Sequence, residues 1–438
     1  MTTQKQKILV TGGLGFIGYN VVLRLMNLGH IISIVDTKTT YGDNLPKEEL
    51  DSLHKERFYS IANRVTDSNH LNIYTIDVGN PDLDQLFKSE QFDAVIHLAS
   101  FPRQKIVNSD PQAGSKVMSE GLLNLLELSR LHGVSRFTYI SSSMVYGDFV
   151  DGVTEDAVCN PQGQYAIMKY AGELLVKDYT RQYNLKHTII RPSAVYGPVD
   201  VDDRVISKFF LNAMQNLPIR VYGKMEKLDF TFVNDLAHGI VEATISEKAE
   251  NETYNLTRSK GITLYAAARL VSQVVGKGNI DVKNRDMNYP TRGSLSIAKA
   301  YDHFRFDPAT DIEEGFKIYY DWFQNNTYWQ EKLNPKPVET SEPKSIFDLK
   351  GVFEEKSVKK KPLPAKSKKV IKKAPAKTKT PVSTKTVTSK AKPKENSKAK
   401  TKAPVKAKAI IKAPTKTKAP VKAKTKPKTK AKAKPKKK

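Results

Sequence analysis

A glycine-rich turn near the beginning of the chain limits the available folds more than any other feature. Residues 7–12 form a short apolar run rich in β-branched side chains, and apolar residues at helical spacing follow from Phe16. Gly12 and Gly15 lie between these elements, and Gly18 lies at the start of the expected helix. Such glycines permit a tight turn, the approach of a pyrophosphate and close packing of helix on strand. The turn therefore predicts a dinucleotide site.

Six strand-like runs alternate with helical patterns through the first half of the chain. The runs are KILVTG, IISIVD, LNIYTID, FDAVIHLAS, RFTYISSS and HTIIRPSAVYG. Between them apolar residues recur at helical spacing, for example at Leu122, Leu125 and Leu126. This alternation predicts an α/β fold of the Rossmann type, in which helices cover both faces of a doubly wound parallel sheet.

We expect four regions along the chain. Residues 1–197 form the dinucleotide-binding domain, with a return to its sheet within 229–257. Residues 198–330, where irregular stretches and mixed helices predominate, form mainly a smaller substrate-binding domain. A linker that contains several prolines follows over 331–350, and residues 351–438 form a tail.

The tail carries nearly all of the excess positive charge. Residues 351–438 contain 33 lysines, no arginine and three acidic residues, whereas the rest of the chain contains 39 basic and 43 acidic residues. Phe353 is the only aromatic residue of the tail, and short Lys-Ala-Pro and Lys-Thr-Lys units recur. Because such a composition cannot bury a core, we expect the tail to be disordered.

The composition of the tail resembles the carboxyl-terminal tails of linker histones. The resemblance implies non-specific contact with a nucleic acid (DNA or RNA) or another polyanion, because each phosphate that a lysine neutralises releases a bound cation. Without arginine forks or interleaved aromatic residues, we expect no base-specific contacts. The alternatives are a solvated solubility or anchoring tail and contact with an anionic membrane surface.

Simple counts exclude several classes of protein. Cys159 is the only cysteine, so the chain is not a disulfide-stapled scaffold. No apolar run approaches the roughly 18 residues of a membrane span, and a strand is expected too early for a signal peptide to precede it. We therefore expect a cytoplasmic protein. The histidines, among them His30, His97 and His238, lack metal-ligand spacing, and we expect no metal site.

Asp36 lies at the end of the second strand-like run, 18 residues after Gly18. Its carboxylate can accept hydrogen bonds from the ribose hydroxyls of adenosine and would repel a 2′-phosphate, so it favours NAD over NADP. Nearby Lys38 weakens this exclusion slightly. The alternative is an aspartate that caps a helix or a turn.

Tyr165 and Lys169 are four residues apart in a helical pattern, so both side chains lie on one face of the helix. A neighbouring ammonium favours the phenolate of a tyrosine, whose ordinary pKa is about 10. Taken alone, such a pair is an ordinary helix surface. However, residues 141–147 place hydroxyl groups at the carboxyl edge of the expected sheet, where doubly wound folds bind ligands.

Taken together, these features follow the order seen in extended short-chain dehydrogenases/reductases, and the chain resembles the NAD-dependent epimerase/dehydratase family. The resemblance spans about residues 5–323 and includes the segments 191–198 and 229–235 and the pair Arg292-Gly293. It implies that NAD is held by Gly12, Gly15, Phe16, Ile17, Gly18, Asp36, Asp77, Val78, Leu98, Ala99 and Lys169.

The resemblance also implies the catalytic roles. Tyr165 is the general base and acid, and Lys169 binds the nicotinamide ribose and lowers the pKa of Tyr165. Ser142 contacts the reacting hydroxyl or carbonyl, because the family places its catalytic Ser or Thr four residues before the tyrosine that is Tyr146 here. Ser141 and Ser143 have supporting roles at most. Ser142 is therefore also a substrate-binding residue. Arg292 and Arg204 are further substrate-binding candidates, which would contact a diphosphate.

The residues after Ser142 indicate which reaction of the family to expect. Family 4,6-dehydratases carry Asp and Glu there, whereas this chain has Ser143 and Met144, which do not transfer protons at neutral pH. A nucleotide-sugar epimerase, which abstracts and returns a hydride through a keto-sugar, needs no further carboxylate. The chain departs from the family pattern at three positions: Met118 and Ala194 replace frequent Asn residues, and Leu228 replaces an Arg. The departures at Ala194 and Leu228 remove expected contacts to the phosphates of the substrate.

Other functions stay open. Within the enzyme class they are a sugar dehydrogenase or reductase, which would release NADH, and a dehydratase. In another class, an NAD-binding structural or regulatory protein would act through its polyanion-binding tail. The helical segments 122–131 and 170–179 resemble those through which the family forms dimers, so we expect a homodimer.

Overall fold

The protein is described by a computed structural model that covers residues 5–39, 47–65, 70–201 and 203–333. The expected linker, apart from its first three residues, and the expected disordered tail therefore lie outside the described residues. Within the described ranges, no helix is long and apolar enough to cross a membrane.

Strands and helices alternate through the first half of the chain, and further strands and helices continue to Leu333. The strands are β1 (Lys7–Thr11), β2 (Ile31–Val35), β3 (Leu71–Tyr74), β4 (Ala94–His97), β5 (Arg136–Ile140), β6 (His187–Pro192), β7 (Val195–Tyr196), β8 (Ile219–Tyr222), β9 (Lys227–Asp229), β10 (Thr231–Phe232), β11 (Glu252–Leu256), β12 (Gly261–Thr263) and β13 (Ile280–Lys283). The helices are α1 (Phe16–Asn27), α2 (Lys47–Ala62), α3 (Leu83–Glu90), α4 (Gln104–Ser109), α5 (Pro111–Ser115), α6 (Leu122–Leu131), α7 (Gln164–Tyr183), α8 (Val205–Met214), α9 (Val233–Ile245), α10 (Leu264–Val275), α11 (Ala298–Phe304), α12 (Ile312–Asn325) and α13 (Thr327–Leu333). A π-helical segment (Lys116–Gly121) precedes α6, and a 3-10 turn (Ser143–Tyr146) follows β5.

Seven parallel strands form the main sheet in the order β11-β6-β5-β4-β1-β2-β3. The strand order reverses at β1, because β2 and β4 lie on its two sides. In a sheet of this kind, ligands bind outside the carboxyl ends of the strands at the point of reversal. Each of the six strand-like runs contains a strand of this sheet, and the predicted fold class is confirmed. The last run also contains β7, which pairs with β10 outside the main sheet.

The core lies on both faces of the sheet. Along β1, Ile8 and Val10 point to one face and pack in a cluster with residues of α1 and α9. Leu9 points to the opposite face and packs with residues of α6 and α7. This alternation follows from the two-residue period of a strand. Burial on both faces explains why the strands contain unbroken apolar runs.

The return to the sheet is narrower than the expected range 229–257. Only β11, at the end of that range, joins the main sheet, where it pairs with β6. The earlier part of that range does not contribute a strand to the main sheet. Residues 233–245 are the helix α9, whose apolar residues recur at helical spacing and cover β1.

The second half of the body adds small ladders and a separate aromatic core. Three two-stranded ladders pair β10 with β7, β12 with β9 and β13 with β8. The core of this region includes the buried rings of Phe210, Phe316, Tyr319, Phe323 and Trp329. Since Trp329 belongs to α13, packed structure extends to Leu333, three residues into the range that we expected to be linker.

Candidate active site

The glycine-rich turn after β1 is crowded by main-chain atoms. Gly12 has a φ of +71°, and its N–H donates to the carbonyl oxygen of Val35 at 2.8 Å. A Cβ atom on Gly12 would lie 2.7 Å from the nitrogen of Ala99, and one on Gly18 would lie 2.0 Å from the carbonyl oxygen of Gly12. Any side chain at these two positions would therefore displace the backbone of the turn.

Asp36 accepts hydrogen bonds both from the glycine-rich turn and from the segment that follows β2. The N–H of Leu14 donates to Oδ2 at 3.0 Å, and the N–H of Lys38 donates to Oδ1 at 2.7 Å. The turn-capping role that the sequence left as an alternative is thus present. Each oxygen retains a further lone pair, so contact with the adenosine ribose stays a prediction.

Three other residues that we expect to hold NAD, Asp77, Val78 and Ala99, take part in hydrogen bonds of their own. The N–H of Gly79 donates to Oδ1 of Asp77 at 2.8 Å, and the side-chain amide of Asn124 donates to the carbonyl oxygen of Val78 at 2.7 Å. After β4, the N–H of Ala99 donates to Oγ1 of Thr11 at 3.3 Å. These bonds fix the loops that border the glycine-rich turn.

One cleft of about 720 Å³ brings most of the predicted site residues together. The residues predicted for NAD that line it are Gly12, Gly15, Phe16, Ile17, Gly18, Leu98 and Lys169. The predicted catalytic and substrate residues that line it are Ser142, Tyr165, Lys169, Arg204 and Arg292. Asp36, Asp77, Val78 and Ala99 are not among the lining residues.

Two elements position the catalytic side chains. Tyr165 and Lys169 project from one face of α7, and both are buried. The Lys169 Nζ donates to the carbonyl oxygen of Ile140 at 2.8 Å, at the end of β5. Ser142 is the N-cap residue of the 3-10 turn. Its Oγ accepts a hydrogen bond from the N–H of Met144 at 3.2 Å.

Lys169 lies in a buried environment at the wall of the cleft. Burial lowers the pKa of the Lys169 ammonium to about 7, and the charge of Glu173 opposes this change. Burial, with a smaller contribution from Lys169, lowers the pKa of His97 to about 3, so His97 is neutral. The ring of Tyr139 lies beneath the ammonium, with its centre 5.3 Å from Nζ. The ammonium of Lys169 therefore loses its proton far more readily than a lysine in water.

Four arginines from separate segments line the cleft, namely Arg103, Arg204, Arg220 and Arg292. An Nη atom of Arg292 lies 3.7 Å from Sδ of Met144, and burial lowers the pKa of this guanidinium to about 10. Arg204 lies 3.4 Å from the carboxylate of Asp200. The sequence analysis missed Arg103, which pairs with Asp203 at 2.8 Å. Its position in the loop after β4, at the carboxyl edge of the sheet, was the available signal.

The three departures from the family pattern fall in different environments. Met118 is buried in the π-helical segment. Leu228 and Ala194 line the cleft, and Ala194 has a φ of +34°. Asn is enriched among non-glycine residues with positive φ, which is the physical reason to find it at such a position.

A comparison with protein families decides the relationship. The model of the NAD dependent epimerase/dehydratase family matches residues 8–257. The chain belongs to this family. The family is NAD-dependent, and the residues present fit the cofactor: crowded glycines expose the backbone of the turn, and a cleft runs from this turn to Tyr165 and Lys169.

Relatives within the epimerase/dehydratase family include both of its named reaction types. The dTDP-glucose 4,6-dehydratase of Neisseria meningitidis is 30% identical over 360 residues, which cover 75% of this chain and 96% of the relative. The UDP-glucuronate 4-epimerase of Thermodesulfobacterium geofontis is 29% identical over 327 residues, which cover 73% of this chain and 96% of that enzyme. Overall identity therefore does not select between the two reactions.

Solved structures of family members share the fold. The UDP-glucuronic acid 4-epimerase of Bacillus cereus in complex with UDP-glucuronic acid and NAD has a TM-score of 0.66 at 25% identity, with 72% of this chain and 98% of that chain covered. The UDP-glucose 4-epimerase of Thermotoga maritima with UDP-glucose has a TM-score of 0.63 at 26% identity, with 73% and 98% covered.

Proposed function

We propose that this protein is an NAD-dependent nucleotide-sugar epimerase, which inverts one sugar carbon through a keto intermediate. The observation that carries the proposal is the absence of a carboxylate next to Ser142 in the described part of the chain. Ser143 and Met144 occupy the positions that a dehydratase needs for its additional acid and base, and both are buried.

The carboxylates that do line the cleft already have ionic or hydrogen-bonding partners in the protein. Asp203 pairs with Arg103, and Glu226 pairs with Arg285 at 2.9 Å. A third, Asp286, accepts a hydrogen bond from the N–H of Asn288 at 3.0 Å. A carboxylate that is held by a cation is a poor proton donor, because the cation favours its ionised form. These contacts support epimerisation over dehydration.

The chain's own groups supply the proton chemistry. When bound, NAD supplies the reversible two-electron oxidation of the sugar carbon. Tyr165 removes the proton of the sugar hydroxyl as the carbonyl forms and returns it as the carbonyl is reduced. Lys169 stabilises the phenolate of Tyr165 by its charge. Because Ser142 Oγ accepts from Met144, its own proton is available for the sugar oxygen.

The arginines of the substrate side support a diphosphate-linked sugar as the substrate class. Arg292 has an Nε atom that is buried and makes no hydrogen bond within the described structure. A guanidinium forms strong, geometrically specific pairs with phosphate oxygens. We propose Arg292 and Arg204 as the diphosphate contacts, with Arg103 at the same side of the cleft.

The test is incubation with NAD and a panel of nucleoside-diphosphate sugars, followed by NMR of the products. We expect an equilibrium mixture of two sugar epimers and no accumulation of NADH at 340 nm. Stoichiometric NADH would instead identify a dehydrogenase, and a deoxy-keto-sugar would identify a dehydratase. Lack of any product from every sugar, with NAD bound, would favour the non-enzymatic alternative.

We propose further that the protein forms a homodimer through α6 and α7. Both helices expose apolar side chains to solvent: Leu123 and Leu131 on α6, and Ile167 and Leu174 on α7. A second copy would bury these side chains by the same hydrophobic effect that packs the core. Light scattering of the wild type should give the mass of two chains, and Leu174→Glu should give the mass of one.

The lysine-rich tail supports a second, separable activity, which is non-specific binding of a polyanion. The support is its 33 lysines in residues 351–438 without arginine. We expect removal of these residues to abolish the gel shift of duplex DNA and to leave turnover unchanged. Binding by the full chain should disappear at high salt, since it depends on counterion release. An equal gel shift by the truncated body would refute this role of the tail.

A further inference from the structure

Helix α7 contacts the end of β5 through side chains that are one helical turn apart. Lys169 donates to the carbonyl oxygen of Ile140 at 2.8 Å. Four residues further along α7, Oε1 of Glu173 accepts a hydrogen bond from Oγ of Ser141 at 2.5 Å. Ile140, the last residue of β5, and Ser141, which follows it, are thus bound by successive turns of the helix. The next residue of the chain is Ser142.

Glu173 is the most deeply buried acidic group of this region, with no exposed side-chain surface. Its two oxygens accept hydrogen bonds from Nε and Nη2 of Arg191 at 2.9 and 2.6 Å. The remaining Nη of Arg191 donates to the hydroxyl of Tyr146 at 2.8 Å, at the far end of the 3-10 turn. The carboxylate therefore connects α7 directly to Ser141 and β6 and, through Arg191, to Tyr146, so it is linked to the chain on both sides of Ser142.

We propose that Glu173 is a positioning residue of this active site, which binds the chain before Ser142 to α7 and places its negative charge one helical turn from Lys169. The proposal rests on the proposed function only for its effect on turnover. Its effect on Lys169 is independent of any substrate.

The charge of Glu173 acts on Lys169 without a competing anion among the described groups that face it. On α7 the neighbours are Tyr165 and Glu173, on β5 the ring of Tyr139, and on β4 the neutral His97. A negative charge raises the pKa of an ammonium, whereas burial lowers it. Removal of the Glu173 charge should therefore make Lys169 lose its proton at lower pH.

The first experiment follows the protonation of Lys169 in the full chain by competitive acetylation and peptide mass spectrometry. In the wild type, half-deprotonation should occur near pH 7. Glu173→Gln should shift it downward by about one unit, and Glu173→Asp, which keeps the charge, should restore it. An unchanged Lys169 titration in Glu173→Gln would overturn the electrostatic part of the proposal, whatever the substrate is.

The second experiment separates position from charge. Ser141→Ala removes one hydrogen bond and keeps the carboxylate, so we expect kcat to fall roughly tenfold, the scale of one net hydrogen bond, with KM and the Lys169 titration unchanged. The matched control is Ser129→Ala, which removes a buried hydroxyl that donates a hydrogen bond to the carbonyl oxygen of Leu125 on α6. It should leave kcat unchanged.

Folding of each variant is checked by thermal unfolding, because Glu173→Gln leaves Arg191 without its buried partner. If Glu173→Gln does not fold, Ser141→Ala and Glu173→Asp decide the question. Wild-type kcat in Ser141→Ala would overturn the positioning role. Equal losses in Ser141→Ala and Ser129→Ala would overturn it as well, since any buried hydroxyl would then suffice.

Discussion

The cofactor side and the substrate side of the cleft are built from different kinds of atoms. On the cofactor side, one continuous strand–turn–helix unit presents its backbone, and a Cβ atom at Gly12 or Gly18 would collide with other main-chain atoms. On the substrate side, the polar groups are side chains from distant segments, such as Arg103, Arg204 and Arg292. The two glycine positions therefore tolerate no side chain, whereas the side chains of the substrate side can be exchanged one at a time. The departures from the family pattern that line the cleft fall on the second side.

The comparison between the two sides is sharpest at Tyr165, which lines the same cleft as the glycine-rich turn and the arginines. Tyr165→Phe removes the transferable proton and keeps the ring, so turnover should fall by roughly 10² or more while NAD binding is retained. Lys169→Ala should reduce both. Calorimetric titration with NAD and turnover on the identified sugar measure the two effects. Near-normal turnover of Tyr165→Phe would refute the proposed mechanism.

On the cofactor side, a single methyl group should suffice to damage binding. In Gly18→Ala the new Cβ would start 2.0 Å from the carbonyl oxygen of Gly12. We expect a loss of NAD affinity of roughly 30-fold, because relief of such overpacking costs about 2 kcal/mol. Gly133→Ala is the control for stability alone, since Gly133 has a φ of +70° and open space around it. Retained NAD affinity in Gly18→Ala would remove the basis of the comparison.

On the substrate side, Arg292→Ala should act in the opposite way. We expect KM for the nucleotide sugar to rise roughly tenfold, the scale of one charge-assisted hydrogen bond, with NAD affinity unchanged. Arg181→Ala, an exposed arginine of α7 paired with Asp178, is the control for loss of charge. Weaker NAD binding in Arg292→Ala would place this arginine on the cofactor side instead.

Asp36 tests whether charge on the cofactor side sets the choice of cofactor. Asp36→Ala should narrow the preference for NAD over NADP by about fivefold, since a partly solvated charge contributes about 1 kcal/mol. It should also weaken both cofactors, because the N–H groups of Leu14 and Lys38 lose their acceptor. Binding of NADP as tight as that of NAD by the wild type would refute the assigned role.

Local features were predictable from the sequence, and long-range ones were not. The six strands, the glycine-rich turn and the Tyr165/Lys169 pair depend on residues within a few positions of each other. In contrast, the carboxylate of Glu173 acquires its role only through Arg191 on another element. Arg57 likewise can be buried only because its guanidinium donates to the carbonyl oxygens of Leu14 and Val199. No sequence motif connects Arg57 with these two residues.

Arg57 also shows where the two sides of the cleft are coupled. Its guanidinium donates to Leu14 in the cofactor turn at 3.1 Å and to Val199 at 2.7 Å. Val199 has a φ of +65°, an unfavourable conformation for a β-branched residue that costs of order 1–3 kcal/mol. The segment that follows it carries Arg204. One buried side chain thus holds the cofactor turn and a strained loop of the substrate side in register.

The smallest expected effect concerns Ala194, where the family frequently has Asn. The left-handed φ of +34° at this position is accessible to Asn, and Ala194 is only partly buried, lining the cleft at the edge of the aromatic core. Ala194→Asn should therefore fold normally and change KM by about twofold or less, as expected of a substitution that leaves the core residues themselves unchanged. Kinetics with the identified sugar and thermal unfolding measure the two quantities. A large loss of activity would show that the substrate side is as intolerant of substitution as the glycine-rich turn, and the distinction between the two sides would then fail.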